Sequence, residues 1–453
     1  MVIITVLVVS SIRLGAYLDL FVTKSLQMDF SAFYTAGQVL DAGLSPYVNY
    51  ALSSPSLWDG ASRFNHSRFL YPPLAATMFR PLTVLSYGAA KLVWMVLSLI
   101  SIIGGLLVYT SMLKPKPRLE TFLLVLIVAA LYHPLLTMLE RGQEDGICLA
   151  LISAAVAFSP HKGTRQLVSG LLFSLVTLLK LSCVFLLPLM ILRRKIKMVV
   201  GYCLGCLLII GTSVAVHGWS TCYDYFMNDM PRISRFGENG TLEMRLPKDF
   251  LEAHLKDWPG GTTTKDGHAY SLSVLSFRGN ATLVRPLVAL LSYGGVNLSP
   301  SLVSVAVFLV LAALVALWQV LYGHTVIAGD SLQEVIYWQL DLIIVLLAAP
   351  LTWVMSTVWL IPVAILIIRI YPLVTTVPVS IALYICALGL FIIGMPDNSQ
   401  FEAVVSYANQ VMKGKYIIGE IFIMISLAFI LPRVHFESPD ETGVVSTNDT
   451  WAH

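Results

Sequence analysis

Charge is what this chain has least of. Only 12% of its 453 residues are Asp, Glu, Lys or Arg, about half the share of a soluble domain. The set AVILMFWYC supplies 57%, and mean hydropathy is +0.78. Together these exclude an ordinary soluble enzyme, a disordered chain and a secreted domain, and predict a protein that crosses a bilayer many times. An excess of one sign is missing too. Lys plus Arg is 29 against 26 for Asp plus Glu, so there is no basic surface for nucleic acid. Cysteine is sparse: of six, only Cys222 falls in a loop, which excludes a disulfide framework. Cys203 and Cys206 form a CxxC inside an apolar run, with no His or second pair nearby, and read as small hydrophobes. No Asp-x-Asp stands in any loop, so no cofactor is expected and nothing supports a divalent ion. No repeat is visible, nor the inverted pair of broken helices that marks a transporter.

What is present is a series of apolar runs: 1–22, 84–112, 119–137, 146–158, 166–180, 182–192, 198–216, 299–322, 335–350, 353–370, 374–394 and 415–431. This predicts an all-α polytopic membrane domain over 1–434 with about ten to twelve spanning or dipping helices. The first run, interrupted by Arg13 and Asp19, reads as a retained span rather than a signal peptide. Several runs are shorter than a span and cluster around Glu140–Asp145, Lys180 and Pro350. Broken helices are tolerated at membrane depth only beside protein or a water-filled cavity, so these breaks predict one. Basic clusters at 114–118, 162–165 and 193–197 place those turns in the cytoplasm. Two long loops, about 23–83 and 217–298, then lie outside, and the polar tail 435–453 reads as a disordered cytoplasmic segment.

The first long loop opens on Met28-Asp29-Phe30-Ser31-Ala32-Phe33-Tyr34. Phe30, Phe33, Tyr34 and Gly37 recur at helical spacing, which predicts a helix with an aromatic face lying along the membrane surface. Asp29 at its start is either a helix cap or a carboxylate held at the interface beside a cavity. Tyr47 follows in Leu44-Ser45-Pro46-Tyr47, and Tyr71-Pro72-Pro73 fixes a stiff entry into the next helix. Their rings are either interfacial anchors or a wall for a sugar or polyprenyl chain. The second long loop is mixed in charge and reads as an exposed cap that recognises an acceptor.

An early exoplasmic Asp, then AGLSPY (42–47), FLYPPLAATMFRPL (69–82), ERGQEDG (140–146) and LLKLSCVFLLPL (178–189) resemble, in order and spacing, glycosyltransferase family 87. These are polyprenol-phosphate-mannose-dependent alpha-1,2-mannosyltransferases of the GT-C fold. The resemblance covers about 30–370. It implies a lipid-phosphate-linked sugar donor, a lipid or glycan acceptor attacking on the exoplasmic side, and a place in the bacterial cytoplasmic (inner) membrane with the active site facing the periplasm or exterior. It maps a catalytic Asp onto Asp29, the Tyr-Pro-Pro onto Tyr71 to Pro73, the Gly-Gln onto Gly142 and Gln143, and a Lys onto Lys180. The sequence departs from the family in three places. Glu144 and Asp145 replace an Asn after Gly-Gln. Pro350-Leu351-Thr352-Trp353 lacks the His that often follows the Trp. Ala269-Tyr270-Ser271-Leu272 replaces Asn-Gln-Ser.

Transfer from a lipid phosphate needs a base for the acceptor proton and cationic stabilisation of the leaving phosphate. Inversion needs no covalent intermediate, so Asp29 can serve alone. Lys180 and Arg141 are candidates for the phosphate. Lys180 is otherwise a structural partner of Glu140 or Asp145, and Arg141 a solvated turn residue. Tyr34, Tyr47, Tyr71, Gln143 and Trp353 complete the candidate substrate-binding set. Two rival readings stay open: a polymerase or ligase of lipid-linked glycans, and a transporter or flippase of them.

Overall fold

The computed structural model describes residues 2–23, 28–48, 69–113, 119–231, 282–321, 331–374, 376–395 and 406–433, with a few two-residue strands between them. The helices are α1 (Val2–Thr23), α2 (Met28–Asp41), α3 (Pro73–Phe79), α4 (Tyr87–Met112), α5 (Leu119–Leu131), α6 (His133–Arg141), α7 (Asp145–Phe158), α8 (Thr164–Leu179), α9 (Leu186–Leu192), α10 (Ile196–His217) and α11 (Trp219–Asp224). Further along come α12 (Val284–Tyr293), α13 (Pro300–Leu321), α14 (Ser331–Ala348), α15 (Ile361–Ile370), α16 (Val377–Gly394) and α17 (Ser406–Ile430). Among the described residues, five helices are long and apolar enough to cross a membrane, or six if α5 and α6 count as one bent span. α4, α10 and α13 expose apolar side chains such as Ile100, Leu207 and Leu309, a surface suited to lipid tails rather than water.

Two cores lie inside. The larger runs from α4 to α17 around α14, which is buried on every side. Such a helix must satisfy its own polar groups. Gln339 donates to the Tyr109 hydroxyl at 3.0 Å, Arg193 reaches Asp341 at 2.8 Å, and Lys195 reaches Glu334 at 2.8 Å. The smaller core is aromatic and joins α1, α2, α3 and α4 through Phe21, Phe30, Phe33, Tyr34, Phe79, Tyr87 and Trp94. Phe33 and Phe79 stack with centroids 4.4 Å apart.

The apolar runs and the helices agree closely, with physically instructive exceptions. The run 119–137 is not one straight span: α5 and α6 meet at 66°. Pro134 sits in the first turn of α6, where its ring and missing N–H are tolerated, whereas they would break a continuous helix. α2 does form, but its aromatic face turns into the protein instead of onto a lipid surface, because α3 and α4 cover it. The second loop, expected as an exposed cap, contains two helices, α11 and α12. Asn65, Asp59, the cluster 114–118, and most of 232–281 and of the tail 435–453 lie outside the described residues. Within those stretches three two-residue antiparallel pairs are described: Thr241–Leu242 with Ser273–Val274, Thr262–Thr263 with Ala269–Tyr270, and His435–Phe436 with Val445–Ser446.

Candidate active site

The site forms where α6 ends and α7 begins. Gly142 caps α6 with φ of +69°, a left-handed conformation that glycine adopts without strain. A Cβ there would sit 2.7 Å from Phe30 and 2.8 Å from Phe21, so this turn presses directly on α1 and α2. The Trp94 indole N–H donates to the Gly142 carbonyl at 2.8 Å. Held this way, Arg141 aims its guanidinium at Asp29, in the first turn of α2. Nε donates to Asp29 Oδ2, and one terminal nitrogen donates to Oδ1 at 3.0 Å. The Asp29 side chain is buried, with only 7% exposure. A bidentate guanidinium fixes the carboxylate plane and favours its ionised form.

Two residues on, the same turn enters a second ionic group. Lys180 is the residue at which α8 stops; the chain then winds through a 3-10 turn, Leu181–Phe185, into α9. Its Nζ lies 2.7 Å from Glu144 Oε1 and 3.1 Å from Asp145 Oδ2. Both carboxylates are fully buried. Tyr71 closes over the second group. Its hydroxyl lies 3.1 Å from Glu144 Oε2 and 3.2 Å from Gln143 Oε1, and Lys180 Nζ stands 5.9 Å from its ring centre. Burial pushes the Glu144 carboxyl up to about 7, with Lys180 opposing and Asp145 adding. Burial, and then Glu144, push the Tyr71 phenol well above its ordinary value, so it stays protonated.

Of the expected site residues, Asp29, Tyr71, Arg141, Gln143 and Lys180 come together here. Tyr47 stands behind them: its hydroxyl donates to the Tyr71 carbonyl at 2.7 Å, and its ring packs on Tyr225 at 5.1 Å. Tyr34 is placed elsewhere. It is buried in the aromatic core and its hydroxyl donates to the Leu85 carbonyl at 2.7 Å. Trp353 packs against the larger core at the start of a 3-10 turn, Val354–Leu360. The break at Pro350 is closed by Thr282, which donates to the Leu347 and Ala349 carbonyls.

Sequence reasoning missed two things. Arg141 and Asp29 are 112 residues apart, and no local spacing links them. Glu144 was seen only as a departure from a motif, yet it is the nearest partner of Lys180. The signal was there: a Lys and an adjacent Glu-Asp are the charges interrupting neighbouring apolar runs, and such charges seek one another. Among the described residues no group of three His, Cys, Asp or Glu side chains is arranged to hold a metal.

A family model, Glycosyltransferase family 87, matches residues 69–331. That stretch contains Tyr71, Arg141, Gln143, Glu144, Asp145 and Lys180; Asp29 and Trp353 lie outside it. No individual curated protein matches the chain.

Proposed function

The chain belongs to glycosyltransferase family 87 and is a multi-pass membrane glycosyltransferase that uses a sugar donor and an acceptor; from that premise we propose the reaction, its donor and the residues that perform it. The donor is a hexose, mannose first among the candidates, carried on a polyprenyl phosphate. The acceptor is a hydroxyl of a lipid or glycan on the exoplasmic side of a bacterial cytoplasmic membrane. Asp29 takes the acceptor proton as the oxygen attacks the anomeric carbon. The bond from that carbon to the phosphate oxygen breaks on the opposite face, its electron pair stays with the phosphate, and the anomeric centre inverts. Lys180 stabilises the charge that develops on the phosphate. Arg141, whose nitrogens are engaged by Asp29, is a positioning residue that keeps the base ionised and aimed. Tyr71 forms the wall over Lys180 and Glu144.

The observation that carries this reading is that one turn, 141–145, holds a buried, oriented carboxylate through Arg141 and a buried ammonium through Glu144 and Asp145. Such a pair supplies the two groups that inverting transfer requires. The test is mass spectrometry of glycolipids from cells with and without the gene, joined to an assay of purified protein with polyprenyl-phosphate mannose. One hexose added per acceptor supports the reading. A transferred block of sugars favours a polymerase or ligase, and movement of lipid-linked sugar across vesicles without chemistry favours a flippase.

A further inference from the structure

The buried charge at the site does not balance. Asp29 and Arg141 cancel. Lys180 is shared by Glu144 and Asp145, at 2.7 and 3.1 Å, and both carboxylates are shut off from solvent. With all three ionised, the group carries one net negative charge in a place where an uncompensated charge is expensive. The phosphate of the donor is itself an anion, and it must approach Lys180 against that charge.

The hydrogen bonds point the same way. Gln143 Oε1 and Glu144 Oε2 both face the Tyr71 hydroxyl, at 3.2 and 3.1 Å. A phenol has one hydrogen to give, so with Glu144 ionised Gln143 must turn its amide NH2 toward the phenol, and with Gln143 as placed one of these oxygens goes without. A proton on Glu144 completes the chain: Glu144 donates to the Tyr71 oxygen, and Tyr71 donates to Gln143. A neutral Glu144 also loosens its hold on Lys180, which keeps Asp145 as a partner and retains 10% side-chain exposure.

Resting on the reading of Lys180 as a phosphate contact, we infer that Glu144 is the proton-carrying residue of the donor site: it takes one proton from solvent when an anionic phosphate binds, and returns it when the phosphate leaves. The groups facing Glu144 are Lys180 from the end of α8, Asp145 and Cys148 on its own helix, and Tyr71 from the loop before α3. Asp29 acts on Tyr71 from the α2 side. Of these, Lys180 opposes protonation and Asp145 favours it. A phosphate drawing on Lys180 removes the opposing influence and adds one of like sign to Asp145. Burial already raises the Glu144 carboxyl far above the ordinary carboxylate range, which brings that change within the physiological range.

Calorimetry of the full-length protein in lipid nanodiscs tests this. The probe is a short-chain isoprenyl methyl phosphodiester, whose single charge does not titrate between about pH 5 and 9. Binding is measured in two buffers of different ionisation enthalpy. At pH 8 the wild type is expected to take up about one proton per probe, and its affinity to fall up to about tenfold per pH unit above the free-site midpoint. At pH 5.5 uptake vanishes. Glu144→Gln should bind with no uptake and no such pH dependence. Binding by the wild type without proton uptake overturns this proposal alone, and that arm needs no variant to fold. Uptake that persists in Glu144→Gln assigns the proton elsewhere and also overturns it. A probe that binds neither protein at any pH overturns the phosphate reading of Lys180, and this inference with it.

Discussion

At the scale of single residues, the distinction that matters is between a charge that works on substrate and one that only holds the fold. Asp29 has both roles open to it, since it is buried and ion-paired. Asp29→Asn keeps the shape and one acceptor for Arg141, whose guanidinium is 30% exposed and can turn its second donor to water, so the fold should survive with a modestly lowered unfolding temperature. Loss of a general base typically costs about a hundredfold to ten-thousandfold in rate, and transfer should fall by that much while donor binding persists. Near-normal turnover in Asp29→Asn would remove the base from the mechanism. Lys180 needs a different design, because removing it strands two buried carboxylates. Breaking a buried pair typically costs about 3–5 kcal/mol, so Lys180→Met alone should fold poorly. Adding Glu144→Gln removes one of the stranded charges and should restore much of the stability. The double variant should still fail to bind a phosphate probe. Recovered transfer in that variant would show that Lys180 serves only to neutralise its neighbours.

At the scale of elements, the site depends on how closely helices approach, and that is set by glycines. α8 carries Lys180 at its end and packs along α10. A Cβ on Gly170 would lie 2.0 Å from the Met198 carbonyl oxygen, and one on Gly201 would lie 2.1 Å from that of Leu167. Neither obstacle is a side chain that can swing away. Gly170→Ala and Gly201→Ala should therefore push the two helices apart, costing about 1–3 kcal/mol as overpacking does and lowering activity by displacing Lys180. Gly211→Ala, in the same helix α10 with nothing within 4 Å, is the control and should be neutral or slightly stabilising. Equal effects at all three positions in a thermal-unfolding assay would refute the close-packing account. Elements were the most legible part of the sequence. The run 84–112 became Tyr87–Met112, and 198–216 became Ile196–His217, because a long apolar run has few alternatives in a membrane. The bend at Tyr132 is signalled in the sequence only by Pro134, since apolar residues continue across it. α12 was hidden because its amphipathic ten residues sit in an otherwise polar loop. The partners of Asp29 were hidden for another reason: pairing across 112 residues is a property of packing, and no periodicity encodes it.

At the scale of the whole molecule, the ionic groups sort to the two ends of α7. At its start stand Glu144 and Asp145, with Lys180 and Tyr71. At its finish, Ser159 bonds Glu334, which pairs with Lys195 at 2.8 Å, while Arg193 reaches Asp341 nearby. The chain thus runs from the basic end to the site along α8 and turns back at Lys180. It returns through α9 to the same basic end, which explains a run of apolar sequence too long for one span and too short for two. This arrangement puts the candidate site and the basic turns at 162–165 and 193–197 on opposite faces, and the distribution of Lys and Arg in short loops predicts that the basic face is cytoplasmic. The orientation has a direct check. Ala42 lies just past α2 on the side of the site, and Lys162 lies in the turn between α7 and α8; both are exposed. In intact cells a membrane-impermeant maleimide should label Ala42→Cys, while Lys162→Cys should react only after the membrane is opened. The unmodified protein, whose own cysteines are buried except for Cys203 and Cys206 in the apolar helix α10, sets the background. The reverse pattern would turn the molecule over. Asp29 and Lys180 would then face the cytoplasm, and donors and acceptors presented on that side would have to replace those proposed here.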